Sequence, residues 1–469
     1  MTSRLYSWIW LVLLVYLGAC KPADSQPEIA KAPARPTTTD SRPSAEADRV
    51  ELTSPSAAPP ESAEPVATPP STALATAAQP VGDTDFFPAT LVPYELRLDR
   101  AALKRLNASP YSDETCPASL LADGGKYDGV RVRYRGQWAR SWPKKPFKIF
   151  LPKETPYHGY PALNLNSPWR DPSLLREVLA YHIYAACGAP APRARVVRLL
   201  INGQFEGLYV DVEQPKRQFL KRIGMPKAAI YKALGRSNAS DERDLGTTKR
   251  YEAQYEKETR EAEGFDELQK FCRGLATAAD APEFFEQHVD VERLVNYLAA
   301  GVLVQNWDCY NKNHHLVHDV EGSGKWFPTP WDVDRTLGDH WNGSFDAFDL
   351  PVFLGTRRLP GVTGWNRLEE TFLSVPAYRS RFLARLEVLI QSEFTPAKLY
   401  PVVDRWASQI AADAKVDRAR WHGGDISFQS GVIQLKRYIE KRRAFLHREV
   451  TDLRRKEPRL RSTAGPTGH

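Results

Sequence analysis

The segment from residue 305 to residue 338 constrains the fold most, because it predicts a tight β-hairpin with polar residues on both flanks. His314–His318 alternates in polarity as a strand does, and the sequence Glu-Gly-Ser-Gly at 321–324 supplies turn residues. An extended run then resumes at Lys325. Because a hairpin brings its two flanks together, the polar side chains at its ends are expected to share one site.

Asp308 and Asn313 precede this hairpin, and Asp332 and Asp334 follow it. Transfer of a phosphoryl group from a nucleotide needs a carboxylate that accepts the hydroxyl proton, and hard oxygen ligands for a divalent cation. The spacing of Asp308 and Asn313 matches the D-x-x-x-x-N pattern of protein-kinase catalytic loops. The pattern predicts Asp308 as the catalytic base, with Asn313 and Asp332 as ligands of Mg²⁺ or Mn²⁺. Asp334 is either a further metal ligand or a partner that orients Arg335.

Two cations in the first half of the chain are candidates for binding phosphate. Lys148 lies between Phe147 and Ile149 in a predicted strand, where an amine would hold the α- and β-phosphates as the strand lysine of kinases does. Arg135, followed by Gly136, is the only candidate cover for a nucleotide, since no G-x-G-x-x-G loop is present. The phosphates are therefore expected to be held differently from those in ordinary kinases.

A helix is predicted to begin at Asp171 and to end before Gly188. Glu177 borders its apolar face. Either Glu177 pairs with Lys148, as the corresponding helix glutamate of kinases does, or it pairs with an arginine at the surface.

Strand patterns come first in the chain and helix patterns come last. A hairpin is predicted over residues 195–212, with a type I′ turn at its Asn-Gly sequence. Helices are predicted at 265–275, 281–288, 291–304, 378–390, 397–414 and 430–452. This order predicts a bilobal α+β fold, with a strand-rich N-lobe at 84–235 and a helical C-lobe at 236–453.

Several ordered motifs resemble those of the CotH family, the spore-coat protein H type of atypical protein kinases. They are N-x-D at 306–308, G-K-W at 324–326, P-W-D-V-D-R at 330–335, R-Y-R-G at 133–136, K-K-P-F-K at 144–148 and Y-K at 231–232. The resemblance implies a protein-kinase-like fold, ATP as phosphate donor and a protein substrate. It also implies that Trp326 meets the adenine. Tyr231 and Tyr209 are other candidates for stacking on the base, and the order of elements in kinases would place Glu213-Gln214 near the adenine edge.

The first 83 residues predict export and a tether. A short apolar run ends in Leu-Gly-Ala-Cys, which is typical of a bacterial lipoprotein signal, and this predicts removal of residues 1–19 and lipid attachment to Cys20. Residues 20–83 are rich in proline, alanine, serine and threonine and contain no aromatic residue, which predicts a disordered tether. The chain is therefore expected in the bacterial cell envelope, on the periplasmic or cell-surface side, with Cys20 as its contact with the membrane.

The charge and the cysteines exclude some functions. The formal net charge of +7 is spread among residues of both signs, so no nucleic-acid partner is predicted. Basic residues at 454–469 predict a disordered tail. The cysteines other than Cys20 form no C-x-x-C pair, which gives no zinc or redox motif and leaves disulfide pairing open. A monomer is expected.

Three other functions stay open from the sequence. His314, His315 and His318 with the nearby acids are an alternative zinc or iron site. A kinase-like fold without activity is a second alternative, because the glycine-rich loop of kinases is missing and ATP is scarce outside the cytoplasm. Adenylylation or glutamylation is a third. The favoured expectation is an exported, lipid-anchored kinase that phosphorylates Ser or Thr of envelope or secreted proteins.

Overall fold

The computed structural model describes residues 91–356, 364–424 and 427–456. The predicted signal peptide, Cys20, the predicted tether and residues 457–469 of the predicted tail lie outside these ranges. Within them, no helix combines the length and the apolar character that a bilayer span requires.

Strands dominate the N-terminal part of the described chain. They are β1 (Val92–Arg97), β2 (Cys116–Ala122), β3 (Gly125–Tyr134), β4 (Phe147–Phe150), β5 (Ala162–Asn166), β6 (Ala194–Ile201) and β7 (Gln204–Val212). These strands form a closed barrel in the order β1-β2-β3-β4-β5-β7-β6. The parallel pairing of β1 with β6 closes it, which the sequence analysis did not foresee.

The alternation of side chains along β3 separates the barrel interior from its outer face. Val130 and Val132 are fully buried inside, whereas Arg131 is exposed, as expected for a strand with one face in the barrel. Arg133 and Lys148 are direct partners across β3 and β4. Since directly opposed residues point to the same side of a sheet, Lys148 lies on the outer face.

The hairpin of β6 and β7 is confirmed together with its turn. Asn202 has φ 52° and Gly203 has φ 80°. Two successive positive φ angles define the type I′ turn, whose twist matches that of the paired strands.

A second sheet of four strands follows the barrel. Its strands are β8 (Ala229–Ala233), β9 (Tyr255–Lys257), β10 (His314–His318) and β11 (Trp326–Pro330), in the order β11-β10-β8-β9. The predicted hairpin of β10 and β11 is confirmed. However, β8 comes from the segment assigned to the N-lobe and pairs with β10, so the two predicted lobes share this sheet.

The two faces of the second sheet have different surroundings. Tyr231 and Trp326 point into the larger hydrophobic core, and we call this side the core face. Val317 and Ile230 pack on the other side with α3 (Arg217–Arg222), and we call it the α3 face. His315 and Lys232 are direct partners two residues along from Val317 and Ile230, so they also lie on the α3 face.

Helices dominate the rest of the chain. Besides α3 they are α1 (Arg100–Ala108), α2 (Arg176–Ala186), α4 (Thr248–Gln254), α5 (Asp266–Thr277), α6 (Ala281–His288), α7 (Val291–Val304), α8 (Arg367–Ser374), α9 (Pro376–Ser392), α10 (Pro396–His422) and α11 (Phe428–Lys456). The predictions for α6 and α7 are confirmed to the residue, and Asp290 caps α7 by accepting a hydrogen bond from the backbone N–H of Arg293 at 3.0 Å. Because α11 extends to Lys456, residues 454–456 of the predicted tail are helical.

The prediction for the start of α2 is wrong. The Asp171 carboxylate accepts hydrogen bonds from the backbone N–H groups of Ser173 at 2.9 Å and Arg176 at 2.8 Å. These bonds close a turn before the helix, in which Leu174 has φ 59°, a left-handed conformation that is rare for leucine. An Asp-Pro sequence favours a turn as readily as a helix start, and here the turn is formed.

A buried ion pair joins α10 to the barrel. Lys144, between β3 and β4, bonds to Asp417 of α10, and their side chains are 0% and 1% exposed. The backbone of Leu208 in β7 completes the contact, accepting from Lys144 at 2.6 Å and donating to Asp417 at 2.8 Å. One turn earlier on α10, Asp413 pairs with Arg198 of β6 at 3.1 Å in a more exposed position.

The cysteines of the described residues are buried and unpaired: Cys116, Cys187, Cys272 and Cys309. Disulfide pairing, which the sequence left open, is therefore absent among them. Cys187 and Cys272 pack in the larger core, Cys116 packs inside the barrel, and Cys309 packs in a smaller cluster with Trp307 and Tyr310.

Candidate active site

The polar segment before the β10–β11 hairpin begins at the end of α7 and is fixed by side-chain bonds. Asn306 donates to the hydroxyl of Tyr184 in α2 at 3.0 Å, and the Trp307 indole donates to the backbone carbonyl of Asp339 at 2.8 Å. The segment is thus tied both to α2 and to the chain beyond the hairpin. Asp308 follows directly.

Asp308 has two partners within its own loop. Its Oδ1 lies 2.9 Å from Lys312 Nζ, and its Oδ2 accepts a hydrogen bond from Asn313 Nδ2 at 3.1 Å. Burial raises the pKa of Asp308, Lys312 opposes this rise, and the charge of Asp332 adds to it. A carboxylate with a raised pKa is a better proton acceptor. Lys312 was missed by the sequence analysis, although it is only four residues from Asp308.

The acidic motif after the hairpin forms a turn beside Asp308. Asp332 has φ 55°, and its backbone N–H donates to the Tyr181 hydroxyl at 3.1 Å. Burial, followed by the charges of Asp332 and Glu177, raises the pKa of Asp334 well above its usual range. The charge of Asp332 also raises the pKa of Asp308. Four carboxyl groups therefore lie near one another here, those of Asp308, Asp332, Asp334 and Glu177.

These carboxyl groups fit a divalent cation that arrives with a nucleotide. Asp332 is exposed, and its repulsion of the neighbouring carboxylates would fall when a cation binds. In the described ranges, no three Asp, Glu, His or Cys side chains form a preformed metal cage. Mg²⁺ is usually held by one or two carboxylates together with phosphate oxygens and water, which matches this set.

Arg335 is oriented by Asp339 and not by Asp334. Its Nε lies 2.9 Å from Asp339 Oδ2, and it donates to the backbone carbonyl of His340 at 3.0 Å. Of the two roles that the sequence left open for Asp334, the orientation of Arg335 falls to Asp339, and the metal role stays a prediction.

The predicted ion pair between Lys148 and Glu177 is not formed. Glu177 Oε1 accepts a hydrogen bond from Asn166 Nδ2 at the end of β5, at 2.6 Å. Burial raises the pKa of Glu177 to about 8, and the cation that opposes this rise is Arg135. Lys148 is attracted instead by Glu258, beyond β9, because it points from the barrel toward the second sheet.

Lys148 lies among other cations. Burial lowers its pKa to about 8, and repulsion from Arg135, Lys216 and Lys232 adds to this effect. Lys216 in turn lies 2.8 Å from Glu258. The barrel and the second sheet thus bring together several positive charges, a setting that stabilises a polyphosphate. Sequence analysis missed Lys232 as a site residue because the pairing of β8 with β10 is non-local, and it missed Lys216 because its partner Glu258 is distant in the chain.

Arg135 connects these cations to the carboxyl groups. Burial lowers its pKa, whereas Asp332 and Glu177 oppose this by attraction. Its guanidinium carbon lies 5.8 Å from the ring centre of Trp331. Gly136 follows at φ 81°, which allows the chain to turn directly after Arg135.

The predicted base-stacking residues lie in the hydrophobic cores. Trp326 is 3% exposed, and its ring stacks on His318 and Phe271 with centres 4.1 and 4.7 Å apart. Tyr231 is fully buried on the same core face, and Tyr209 is fully buried inside the barrel. An adenine reaches Trp326 only if these rings move aside, so base stacking stays a prediction.

The side chains of Glu213 and Gln214, predicted near the adenine edge, are engaged within the protein. Glu213 pairs with Arg222 at 2.5 Å and accepts from the Tyr160 hydroxyl at 2.7 Å. Gln214 accepts from Asn164 at 3.0 Å. Contacts of this segment with a base would therefore come from its backbone.

The three histidines of β10 do not converge. His314 lies 2.9 Å from Glu242, and His318 lies 2.8 Å from Glu267. His315 points to the α3 face. This arrangement does not support the alternative zinc or iron site.

Residues 132–446 match the family model described as CotH kinase protein. The chain is 28% identical over 317 residues to inner spore coat protein H of Bacillus subtilis strain 168, covering 66% of this chain and 84% of that protein. It is 24% identical over 301 residues to the inner spore coat protein H-like protein of the same organism, covering 63% and 82%. Invasin CotH2 of Rhizopus delemar matches at 26% identity over 181 residues, covering 36% of this chain and 30% of that protein.

The family match begins within β3 and ends within α11, so it includes every residue of the candidate site described above. The kinase-like fold that the family implies agrees with the strand-rich N-terminal part and the helical C-terminal part. Kinases take their phosphate from ATP, and the gathered cations and carboxyl groups suit that donor. The chain belongs to the CotH kinase family of atypical protein kinases.

Proposed function

We propose that this protein transfers the γ-phosphate of ATP to serine or threonine hydroxyls of envelope or secreted bacterial proteins. The observation that supports this most is the setting of Asp308, a largely buried carboxylate held by Lys312 and Asn313 beside the acidic turn at Asp332. A carboxylate so placed can accept the hydroxyl proton as the substrate oxygen attacks.

In this proposal the other site residues bind the metal ion and the phosphates of ATP. Asp332, with Asn313 or Asp334, would hold Mg²⁺ or Mn²⁺. A bound cation supplies positive charge that neutralises the transferring phosphoryl group. Lys148 and the cations around it bind the phosphates and orient them toward Asp308.

The proposal is tested by incubating the purified protein with Mg²⁺, an envelope protein extract and ATP labelled at either the γ- or the α-phosphate. Label from the γ position alone, on serine or threonine, is the expected result. Label from the α position would instead indicate nucleotidyl transfer by the same site. Absence of both label transfer and Mg²⁺-dependent ATP binding would refute the proposal.

We expect Asp332→Ala to weaken the apparent affinity for Mg²⁺ by about 10–100-fold, because metal sites lose at least this much when a supporting group is removed. Titration of Mg²⁺ against ATP binding in a calorimeter measures the change. Asp346→Ala, which removes an exposed carboxylate, is the control and should behave as the parent. Equal Mg²⁺ dependence in the Asp332 variant and the parent would exclude Asp332 as a ligand.

The pKa of Lys148 predicts that ATP binding weakens in mild alkali. Because burial lowers this pKa to about 8, the ammonium is present below pH 8 and is lost as the pH rises through that value. ATP affinity should therefore fall above pH 8, by up to about tenfold per pH unit. Lys148→Arg should flatten this dependence, since a guanidinium stays charged. The same slope in both proteins would show that another group titrates.

A kinase-like protein that binds nucleotide without transferring phosphate is the second candidate. The observation in its favour is the single Arg135-Gly136 turn at the place where ordinary kinases carry a glycine-rich loop. ATP binding by calorimetry without label transfer to any envelope protein would favour it.

The envelope location is proposed from the apolar run that ends at Cys20. We expect the protein made in bacterial cells to incorporate labelled fatty acid and to sediment with membranes. Cys20→Ala should lose the label and appear in the soluble fraction. Label that persists in this variant would exclude Cys20 as the lipid site.

A further inference from the structure

The His314 side chain, at the start of β10, forms hydrogen bonds with the backbone of the catalytic loop at 308–313. His314 Nδ1 lies 2.8 Å from the carbonyl oxygen of Cys309 and 3.0 Å from that of Lys312. His314 is 2% exposed and therefore makes these bonds away from water. One imidazole nitrogen thus reaches both ends of the segment that separates Asp308 from Asn313.

Glu242 joins this histidine to a second support of the loop. His314 Nε2 lies 2.9 Å from Glu242 Oε1, and Asn366 donates to the other carboxylate oxygen. Asn366 also donates to the carbonyl oxygen of Tyr310 at 2.9 Å, and the Tyr255 hydroxyl donates to Glu242 at 3.3 Å. We call Glu242, His314 and Asn366 the loop anchor.

Glu242 in the loop anchor combines deep burial with a rare backbone conformation. Glu242 is 1% exposed and has φ 57°, a left-handed conformation in which few non-glycine residues occur. Strained, buried and fully bonded residues of this kind persist where the surrounding structure requires them. Three loop carbonyls, those of Cys309, Tyr310 and Lys312, point toward the anchor.

We infer that the loop anchor positions Asp308 for catalysis: by drawing the loop carbonyls inward, it directs the Asp308 and Asn313 side chains toward the acidic turn. His314, Glu242 and Asn366 are positioning residues that touch no reacting atom. This inference rests on the proposed function for its effect on turnover. A shift of about 1 Å in a catalytic group costs on the order of 100-fold in rate, so loss of the anchor should be felt in kcat.

Glu242→Gln and His314→Gln test the inference. Glutamine keeps the size of Glu242 but removes its charge, and at position 314 it offers donors on one side only. We expect kcat to fall by about 10–100-fold, with the calorimetric Kd for ATP within about twofold of the parent. Tyr438→Phe is the matched control, because it removes a buried side-chain bond to the Leu303 carbonyl, at 2.8 Å, without touching the loop.

Hydrogen exchange of the backbone amides at 309–313 gives a second measurement that does not depend on activity. Faster exchange is expected in the two anchor variants and not in Tyr438→Phe. Unchanged kcat with unchanged loop exchange would overturn the inference, as would equal losses in kcat and ATP affinity in all three variants. If the parent protein transfers no phosphate, the proposed function fails, and loop exchange alone decides whether the anchor holds the loop.

Discussion

Asp308→Asn will reduce phosphoryl transfer by about 10²–10⁴-fold while ATP binding survives, because a positioned general base contributes that much and the amide cannot accept the proton. Asparagine keeps the shape of the side chain, so its oxygen can still meet Lys312 or Asn313, which lie 2.9 and 3.1 Å from the Asp308 carboxylate. The measurement is kcat with γ-labelled ATP, together with Kd for ATP by calorimetry.

The control for this variant is Asp128→Asn, which removes a carboxylate that is 67% exposed on the barrel surface. It should transfer phosphate at the parent rate. If Asp308→Asn also does so, Asp308 is not the base. If it loses ATP binding together with turnover, its carboxylate serves the metal and not the hydroxyl proton.

Asp417→Ala will destabilise the fold by about 3–5 kcal/mol, the usual result of leaving a buried charge without its partner. In the parent, the carboxylate pairs with Lys144 and also accepts the backbone N–H of Leu208 at 2.8 Å. Both of these groups would lose a partner in a place that water does not reach. Urea unfolding of the purified protein, followed by circular dichroism, measures the loss.

Asp413→Ala is the matched comparison, since Asp413 lies one turn away on α10 and also pairs with the barrel. Its pair with Arg198 is partly exposed, at 22% and 38%, so the expected loss is below about 1 kcal/mol. The double replacement Lys144→Met and Asp417→Leu should recover much of the stability, because apolar side chains leave no charge unpaired. Similar losses in Asp413→Ala and Asp417→Ala would contradict this account.

Sequence reasoning succeeded where the signal is local. The cap at Asp290 and the apolar spacing after it define α7, and the alternation in His314–His318 defines β10. The Asn202-Gly203 pair likewise fixes its turn, because a type I′ turn needs two positive φ angles. In each case the determining residues are neighbours in the chain.

Sequence reasoning failed where the partner is distant. The parallel strand pairing that closes the barrel joins Val92 to Val197, and no local sequence pattern predicts this pairing. The kinase analogy assigned Lys148 to Glu177, but the outward direction of Lys148 and the late start of α2 give each a different neighbour. The sequence suggested His314 as a possible metal ligand. In the structure its partner is Glu242, which lies 72 residues away and could not be identified from residue spacing.

The contact between Lys144 and Asp417 also has a consequence for the order of folding. The two residues are separated by 273 positions, so the amine inside the barrel wall stays without its counter-ion until nearly the whole chain has been synthesised. Contacts between residues so far apart form slowly, because a long loop must close before they contribute. The N-terminal barrel therefore reaches its final stability only after α10 has docked, and a nascent chain that ends before residue 417 holds all seven barrel strands while the Lys144 amine still lacks its counter-ion.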